Sequence, residues 1–526
     1  MLVINYWYRL LLFTIAFHIF SLSDTFGQVN KLEKLISGDF IYSNILYKDK
    51  DHVFGYVLVY TRENRDEFVR EFEYILLNDN LEQVYRRTFK QKRINFYSLD
   101  ILNISLFGDS LLVEIRYCSD HCFTCFRFLS LKSDATSTVY ARDKNGIEVL
   151  KFNKKSYKDY YKDYLIDRFT VVNADHGLYL TDALLNGGYI TDSICLYHPD
   201  LRLKWSYNFN ASKIKKKIRN GELLYISNDR MYLTVFLRKE HRTSFDHTPG
   251  EIFSRSLLCL DLRTGTVIFE HFLEESEEEA IHDLKVFEQD GFTSIIGKYC
   301  KSKFKYYYTD ENDLGYYQLV LDSLGNLKSK KFLAWNKLNP TANLKANGKD
   351  KDGFQLRGIE IFKFKDGTSM VLSEKFKPRS DGLSLPIPIV SEVVGMATSR
   401  SERSRDFMMH YLDKEFNIIK SVTINKELSK GQEYDFLYSQ YRDDHDGMFF
   451  LYKDEDIDKN KNNKSKTIWK LSLVKFVNGI ISEDVIPVAS NHAHKVIAMP
   501  AKEGFILLAE LDKDDKLLDL RLEKIN

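Results

Sequence analysis

The stretch LCLDLRTGTVIF, residues Leu258–Phe269, carries the pattern that decides the fold. An apolar run ends in Asp261, a short turn with Thr264 and Gly265 follows, and a second apolar run begins at Val267. Aspartate and asparagine side chains accept hydrogen bonds from the turn backbone, and glycine adopts positive φ without a steric cost. The stretch therefore predicts two antiparallel strands joined by a tight turn.

The same turn recurs along the whole chain, with most copies about 60 residues apart. Its copies centre on Asp79, Asp143, Asp200, Asp261, Asp322, Asp413, Asn478 and Asp512. Each interval also contains an earlier apolar hairpin, for example Leu284–Gly297, Ile359–Leu372 or Val496–Leu511. Two hairpins make a four-stranded blade, which needs neighbouring blades to cover its faces. The repeat predicts an all-β fold, a β-propeller of four-stranded blades, with eight blades preferred over seven and stacked β-sandwiches as the alternative.

Composition supports strands and excludes one class of partner. The chain has 32 Tyr and 37 Phe but only 8 Pro, and aromatic side chains suit a pleated, half-buried surface. Its 76 basic and 75 acidic residues leave a net charge of +1. A dedicated nucleic-acid binder needs a basic surplus, so we expect no nucleic-acid partner.

The first 27 residues resemble an export signal. Arg9 precedes an apolar run, Leu10–Phe20, and the small residues Thr25 and Gly27 would suit a signal peptidase that cuts before Gln28. The run is short for a membrane span, although three aromatic residues before Arg9 keep an uncleaved anchor as the alternative. We expect one propeller domain over residues 28–526, in which Val29–Ile36 could supply a strand to the short last repeat.

The location that follows is periplasmic or extracellular. The first cysteine is Cys118, far from the cleavage site, so the chain is not expected to be a lipoprotein. No later stretch is long and apolar enough to span a bilayer, so we expect no membrane span after removal of the signal. We expect a monomer.

Three cysteines lie close together, at Cys118, Cys122 and Cys125. Their spacing resembles the iron–sulfur motif of radical S-adenosylmethionine enzymes, but Thr124 stands where that family has an aromatic residue. With His121 they could also bind zinc, although no second cysteine pair follows. An oxidising compartment favours a disulfide across a hairpin, Cys118–Cys125 or Cys118–Cys122.

We expect no metal and no cofactor. Asp454, Asp456 and Asp458 open a calcium-loop pattern, but Lys459 stands where glycine is required, which predicts a solvated loop instead. His492 and His494 form a pair without a visible third ligand, and we interpret them as surface residues.

One interval is about 30 residues longer than the rest and contains an insertion, residues 383–405. Its first half is apolar with two prolines, which exclude a central strand, and its second half is basic. Exposed apolar chain is unfavourable in water, so the segment could contribute to a partner surface. The residues expected there are Leu385, Pro386, Pro388, Val390, Arg400, Arg403 and Arg405.

Cys259–Phe272 resembles one repeat of the quinoprotein-like propellers, which carry Leu-Asp-x-x-Thr-Gly followed by a tryptophan. Asp261, Thr264 and Gly265 match, Phe269 stands where tryptophan is usual, and Trp205 has a similar place in the preceding copy. The resemblance implies the fold and says little about quinone chemistry. As a whole the chain resembles an uncharacterised family of exported propeller-like proteins from Gram-negative bacteria.

Two classes of function remain open from the sequence. A propeller offers a ring of loops for binding a protein or a glycan without catalytic residues, and no catalytic residue can be named here. The alternative is a carbohydrate-active hydrolase or lyase with two carboxylates at the central channel. Fold alone does not decide between them.

We predict that the exported protein begins at or near Gln28, because Thr25 and Gly27 fit the specificity of signal peptidase. N-terminal sequencing of protein recovered outside the cytoplasm checks this. An intact Met1 in a membrane fraction would contradict it.

Overall fold

The structure is a computed structural model, and it falls into two compact units. Residues 1–139 and 491–526 form the first unit, and residues 140–490 form the second. Within them the structure describes residues 39–47, 53–62, 69–92, 98–107, 109–118, 122–132, 136–138, 166–172, 177–183, 191–197, 203–209, 217–239, 252–273, 279–301, 312–338, 344–377, 402–431, 436–442, 447–459, 465–486, 495–502, 504–511 and 517–525.

The first unit contains three antiparallel sheets. One sheet comprises β1 (Asp39–Tyr47), β2 (Val53–Arg62), β3 (Val69–Asn78) and β4 (Gln83–Lys92). The next comprises β5 (Ser98–Phe107), β6 (Ser110–Cys118), β7 (Cys122–Ser130) and β8 (Thr136–Thr138). The third, from the C-terminal part, comprises β30 (Lys495–Pro500), β31 (Phe505–Leu511) and β32 (Leu517–Lys524).

The second unit contains five sheets. The first two comprise β9 (Ile166–Val172), β10 (Gly177–Ala183), β11 (Thr191–Tyr197) and β12 (Leu203–Asn208), then β13 (Lys217–Ile226), β14 (Arg230–Lys239), β15 (Ile252–Asp261) and β16 (Val267–Phe272). The third comprises β17 (Glu279–Gln289), β18 (Phe292–Lys301), β19 (Asp313–Asp322) and β20 (Leu327–Ala334), followed by the short helix α1 (Trp335–Leu338). The fourth comprises β21 (Gln355–Lys363), β22 (Ser369–Lys377), β23 (Glu402–Leu412), β24 (Ile418–Ile424) and β25 (Ser429–Gly431), and the fifth β26 (Phe436–Arg442), β27 (Gly447–Lys459), β28 (Ser465–Val477) and β29 (Ile480–Ile486).

The middle strands of the β13–β16 sheet bury both of their faces. In β14, Met231 and Leu233 enter the core shared with the preceding sheet, while Tyr232 between them enters the core shared with the following sheet. In β15, Leu258 and Cys259 divide in the same way. Since successive side chains of a strand point to opposite faces, a strand covered on both sides needs a continuous apolar run. Such runs are what the sequence shows.

Consecutive sheets therefore pack face to face within each unit. In the first unit, the β1–β4 sheet shares one core with β5–β8, which includes Val57 and Val113, and another with β30–β32, which includes Leu58 and Leu507. In the second unit, four cores join the five sheets in chain order.

The recurring turn is held by its first side chain. Asp322 Oδ1 accepts hydrogen bonds from the backbone N–H groups of Leu324 at 3.0 Å and Asn326 at 2.9 Å. The Asn326 side-chain amide donates to Asp322 Oδ2 at 3.0 Å, and Gly325 adopts a φ of 84°. Hydrogen bonds from the Asn326 side chain and backbone, together with Lys328, hold the pKa of Asp322 well below its usual range. The carboxylate is thus part of the turn.

The predicted turns fall mainly between the third and fourth strands of a sheet. Five copies within the described residues have this place, those at Asp79, Asp261, Asp322, Asp413 and Asn478. In the first of them the acceptor is Asn78 instead of Asp79, with Asn80 N and Glu82 N donating to its Oδ1 at 3.0 and 2.9 Å. The copies at Asp143, Asp200 and Asp512 lie outside the described residues.

At these turns, a side chain of one sheet also packs against the next sheet. The Trp205 indole of β12 donates to Leu262 O at 2.9 Å and covers Gly265, where an added Cβ would lie 2.6 Å from Trp205 Cδ2. One sheet further on, Phe269 of β16 covers Gly325 in the same way. Phe269 therefore packs on the turn of the following sheet, as Trp205 does one sheet earlier.

These observations confirm the fold class, an all-β propeller of four-stranded blades. The described residues form eight antiparallel sheets of meander order, and they contain one helix of four residues. The packing of five sheets in series in the second unit is not that of separate two-sheet sandwiches. The strand expected at Val29–Ile36 lies outside the described residues.

We predict that Gly265→Ala destabilises the protein by about 1–3 kcal/mol more than Gly291→Ala. Both glycines have positive φ, 70° and 76°, so both variants carry the same backbone strain. Only Gly265 faces a ring, whereas an added Cβ at Gly291 meets nothing within 4 Å. Urea unfolding of both variants measures the difference, and equal losses would show that the Trp205 contact is dispensable.

Candidate functional site

The two ends of each four-stranded sheet differ. The turns between first and second and between third and fourth strands lie at one end, and the connection between second and third strands lies at the other, because the sheets are antiparallel meanders. In the β21–β25 sheet, the connection between the second and third strands is long and runs from Lys377 to Glu402. By contrast, the turn between the third and fourth strands of the β17–β20 sheet is tight and runs from Asp322 to Leu327. We name the end that carries the connection between the second and third strands the long-connection end. In the β17–β20 and β21–β25 sheets, charged side chains are buried there.

At the long-connection end of β17–β20, a histidine lies between two carboxylates. His282 Nε2 is 2.7 Å from Asp313 Oδ1, and His282 Nδ1 is 3.4 Å from Asp283 Oδ2. Lys298 Nζ lies 3.0 Å from Asp283 Oδ2 and 3.6 Å from Asp313 Oδ2. His282 and Asp313 are buried, whereas the Asp283 side chain is 60% exposed. We name these four residues the His282 cluster.

The backbone that presents this cluster is irregular. The register between β17 and β18 shifts between His282 and Lys285, and Asp283 adopts a φ of 51°. Positive φ at a residue other than glycine costs about 1–2 kcal/mol and needs support from its surroundings. The contacts of Asp283 with His282 and Lys298 supply that support.

Charge sets the protonation of the cluster. Burial alone would lower the pKa of His282, but hydrogen bonds and attraction from Asp283 and Asp313 outweigh it and raise that pKa. The hydrogen bond from His282 and the charge of Lys298 in turn hold the pKa of Asp283 well below its usual range. The cluster therefore favours a protonated imidazole between two carboxylates.

The adjoining sheet buries an ion pair at the same end. Arg357 of β21 donates to Glu374 Oε2 of β22 at 2.5 Å, and Lys426 Nζ lies 3.8 Å from Glu374 Oε1. Lys426 Nζ also donates to Ser404 Oγ at 3.1 Å. The side chains of Glu374 and Lys426 are fully buried. Removing one partner of such a buried ion pair costs about 3–5 kcal/mol. The pair therefore stabilises the strand ends at which the long connection starts.

The two groups of charges are neighbours across the interface between the sheets. An added Cβ at Gly358, next to Arg357, would lie 2.7 Å from Tyr316 Oη and 3.1 Å from Lys298 Cε. Tyr316 Oη contacts Ser373 Oγ at 3.0 Å, beside Glu374. Glycine at this position allows β21 to approach β18 and β19 closely.

The first strands of neighbouring sheets also meet through side chains. In the second unit, Glu360 of β21 pairs with Lys285 of β17 and accepts from Ser439 Oγ of β26 at 3.4 Å. In the first unit, Asn44 Nδ2 of β1 donates to Asn103 Oδ1 of β5 at 3.0 Å. First strands therefore present polar side chains to one another in both units.

The structure describes only two of the seven residues of the predicted partner surface. Arg403 and Arg405 lie in β23, paired with Lys377 and Lys375 of β22, so the strand already begins at Glu402. Leu385, Pro386, Pro388, Val390 and Arg400 lie outside the described residues. The role of the surface stays a prediction.

Arg405 is engaged within its own sheet. Its Nη2 lies 2.7 Å from Asp350 Oδ2 and 3.1 Å from Asp352 Oδ2, and its guanidinium covers the ring of Phe354 at 4.2 Å. Neighbouring Lys375 pairs with Asp406 at 3.2 Å. Its Nε also lies 3.7 Å from Asp406 Oδ2, so the charge of Arg405 is matched by three carboxylates.

The cysteine cluster is placed by strand register. Cys118 of β6 lies directly opposite Cys122 of β7, and Cys125 lies opposite Ile115. Which of the two predicted disulfides forms, Cys118–Cys122 or Cys118–Cys125, stays a prediction. Cys259 and Cys300 are buried free thiols, as expected, and Cys195 is half-buried.

One expectation about a loop is wrong. Asp454, Asp456 and Asp458 lie in β27, opposite Lys470, Ile468 and Lys466 of β28, and not in a solvated loop. Asp454 is buried and pairs with Lys470 at 3.1 Å. Among the residues that the structure describes, no three His, Cys, Asp or Glu side chains are grouped to hold a metal ion.

Sequence reasoning did not find the buried charges. Their only local signal is a charged residue within an apolar strand, such as Glu374 in SMVLSEKFK or His282 in EAIHDLKVF. Their partners lie on other strands, 17 residues away for Arg357 and 31 residues away for Asp313. Strand register and the bulge at Asp283 bring them together.

The fold and these strand ends define a propeller-type protein with charges buried at its long-connection ends. Residues 422–526 match a family of unknown function, DUF6770. No curated protein matches the sequence. No helix within the described ranges has both the length and the apolarity to cross a bilayer.

Several solved structures are similar at low identity. The polysaccharide lyase Uly1 is 10% identical with a TM-score of 0.34, over 91% of this chain and 89% of that one. The β-propeller domain of the Trilobed protease from Pyrococcus furiosus is 9% identical with a TM-score of 0.34, over 85% and 97%. Prolyl oligopeptidase B from Galerina marginata is 8% identical with a TM-score of 0.38, over 91% of this chain and 57% of that one. We transfer no activity from them.

We predict that the His282 cluster makes stability depend on pH. A histidine pKa raised by folding stabilises the folded state fully below its unfolded value of about 6.5, and this contribution is lost as pH rises through the folded pKa. His282→Gln should therefore cost more unfolding free energy at pH 5.5 than at pH 9. Urea unfolding at both pH values measures this.

The control is His271→Gln, which lies outside the cluster and contacts Gly325 O at 3.1 Å. It reports the general effect of replacing a histidine. A cost of His282→Gln that does not change with pH would contradict the assignment.

Proposed function

We propose that this chain is an exported, non-catalytic binding or scaffolding propeller whose partner is a protein or a glycan. The observation that supports this is the asymmetry of its sheets. Tight turns lie at one end, and the longest connections begin at the other, above buried ion pairs such as Arg357–Glu374. Binding surfaces are commonly built from loops on a rigid scaffold.

The state of the buried carboxylates agrees with binding. Asp313 is held by His282 and Lys298, and Glu374 by Arg357 and Lys426. A glycosidase needs one carboxyl group to give up a proton and another to accept one or attack. Carboxylates held in buried ion pairs instead stabilise the strand ends at which the long connections start. The hydrolase or lyase remains the second hypothesis.

Export and the disulfide belong to the same proposal. A periplasmic or extracellular location would let Cys118 and Cys122 form a bond between directly opposite residues. In an antiparallel pair, directly opposite Cα atoms lie about 4.5–5.5 Å apart, within the range that disulfides span. That bond would close the hairpin formed by β6 and β7.

We predict that replacing residues 383–400 by a short Gly-Ser linker weakens partner binding and leaves the thermal midpoint nearly unchanged. The deletion spares β23, which begins at Glu402. Binding is read on a glycan array and against immobilised envelope proteins, and the midpoint by calorimetry.

The matched control removes residues 383–405. It takes away Arg403, Ser404 and Arg405, which pair with β22, and should lower the thermal midpoint. Undiminished binding by the shorter deletion would show that the segment has no part in recognition. Breakdown products in a glycan incubation would favour the hydrolase or lyase.

A further inference from the structure

One histidine lies within the core between the β17–β20 and β21–β25 sheets. His410 of β23 is directly opposite Val371 of β22 and Ser421 of β24, and its side chain is fully buried. Val371 belongs to that apolar core, as do Met408 and Leu412, two positions to either side of His410 on the same face. The imidazole is therefore an ionisable group inside an apolar interface between sheets.

Hydrogen bonds decide which nitrogen of His410 carries the proton of the neutral ring. Ser421 Oγ donates its single proton to Leu338 O of α1 at 2.6 Å, and His410 Nδ1 lies 2.9 Å from Ser421 Oγ. The hydroxyl oxygen then accepts from the ring, so Nδ1 carries the proton and Nε2 carries a lone pair. Nε2 is buried and has no hydrogen-bond partner within the described residues.

Protonation of this ring would bury an uncompensated charge. The protonated imidazole has a second N–H group, at Nε2, and a buried donor without an acceptor is unfavourable. Burial lowers the pKa of His410 to about 3, although a hydrogen bond with the Leu338 carbonyl acts in the opposite direction. His282 differs, because the carboxylates beside it outweigh its burial and raise its pKa.

Positive charges face the same core from four other strands. By strand register they belong to His282 and Lys285 of β17, Lys298 of β18, Lys331 of β20 and Lys363 of β21. The carboxylates beside them are already paired, Glu360 with Lys285 and Asp313 with His282 and Lys298. These groups therefore do not favour a further positive charge on His410.

The remaining elements around His410 have the same character. On β22, Ser373 contacts Tyr316 Oη of β19, the titratable group inside the core, at 3.0 Å. Lys375 of β22 pairs with Asp406 of β23 at 3.2 Å, and Lys337 of α1 is exposed. Within the described residues, no carboxylate is thus placed to receive the charge of a protonated His410.

We propose that His410 is an acid-sensitive switch, which opens the contact of β23 with β24 and α1 when it takes up a proton. The hydrogen bonds from His410 to Ser421 and from Ser421 to Leu338 join these three elements. A charged ring reaches water only by leaving the core, and the elements must then separate. Because β23 begins at Glu402, where the long connection from Lys377 ends, opening would free one end of that connection.

The expected pH dependence has the opposite sign to that of His282. A histidine pKa lowered by folding destabilises the folded arrangement as pH falls below the unfolded value of about 6.5, until the folded pKa of about 3 is reached. Each pH unit within this range favours opening about tenfold, so opening should be about 30-fold more frequent at pH 5 than at pH 7.5. A purely structural role of His410 predicts no such dependence.

Hydrogen exchange of the full chain at pH 5 and pH 7.5, corrected for the intrinsic exchange rates, measures the opening. We expect residues 335–338 and 402–424 to exchange about 30-fold faster at pH 5, while β13 and β14 of the same unit do not change. His410→Asn, whose amide can still donate to Ser421 Oγ, should remove the difference. The matched variant His271→Asn replaces a histidine outside this core and should keep it.

An equal acid response in His410→Asn would overturn the switch, and so would faster exchange spread evenly over the second unit. If His410→Asn does not fold, the unchanged protein decides, since the proposal requires an acid response confined to these segments. The switch does not depend on the proposed function, and the test uses no ligand. A local acid response would therefore stand even if removal of residues 383–400 left partner binding undiminished.

Discussion

Burial of both faces of the middle strands is the constraint on which the structure depends. A sheet with one apolar face can end a stack, but one whose second and third strands are apolar on both faces needs a neighbour on each side. Leu258 and Cys259 are adjacent in sequence and enter different cores. Fully burying one such side chain contributes about 1.5–3 kcal/mol, and the described cores of both units contain many of them. The stacking of sheets in each unit follows.

Stacking in turn decides where polar groups can lie. The buried charges of the β17–β20 and β21–β25 sheets lie toward the long-connection end, whereas Glu73 lies in the middle of β3 and pairs with Arg62 and Arg86. At the tight-turn end, the carboxylates of Asp261 and Asp322 accept hydrogen bonds from the turn backbone. At the long-connection end, Glu374 and Asp313 are buried with cationic partners, where strands part and longer segments begin. The two ends therefore carry different chemistry on the same scaffold.

Much of the fold could be predicted because its determinants are local. The turn at Asp261 and the hairpin Leu284–Gly297 depend on a few consecutive residues, and both are present as expected. Expectations failed where register decides. The capping residue of the first turn is Asn78, one position before the aspartate, and three alternating aspartates from Asp454 lie on a strand. The His282 cluster depends on a bulge and a partner 31 residues away, which no local pattern indicates.

The first unit draws on both parts of the chain. The β30–β32 sheet packs on β1–β4, and Ser43 Oγ donates to Met499 Sδ across 456 residues of sequence. During synthesis, one face of the β1–β4 sheet, with Leu58 and Ile75, must wait uncovered until the last strands leave the ribosome. Contacts so distant in sequence form slowly, since a long loop must close before they stabilise anything. The completion of this unit is therefore a late event, and until then the uncovered face of the β1–β4 sheet is open to association with other chains.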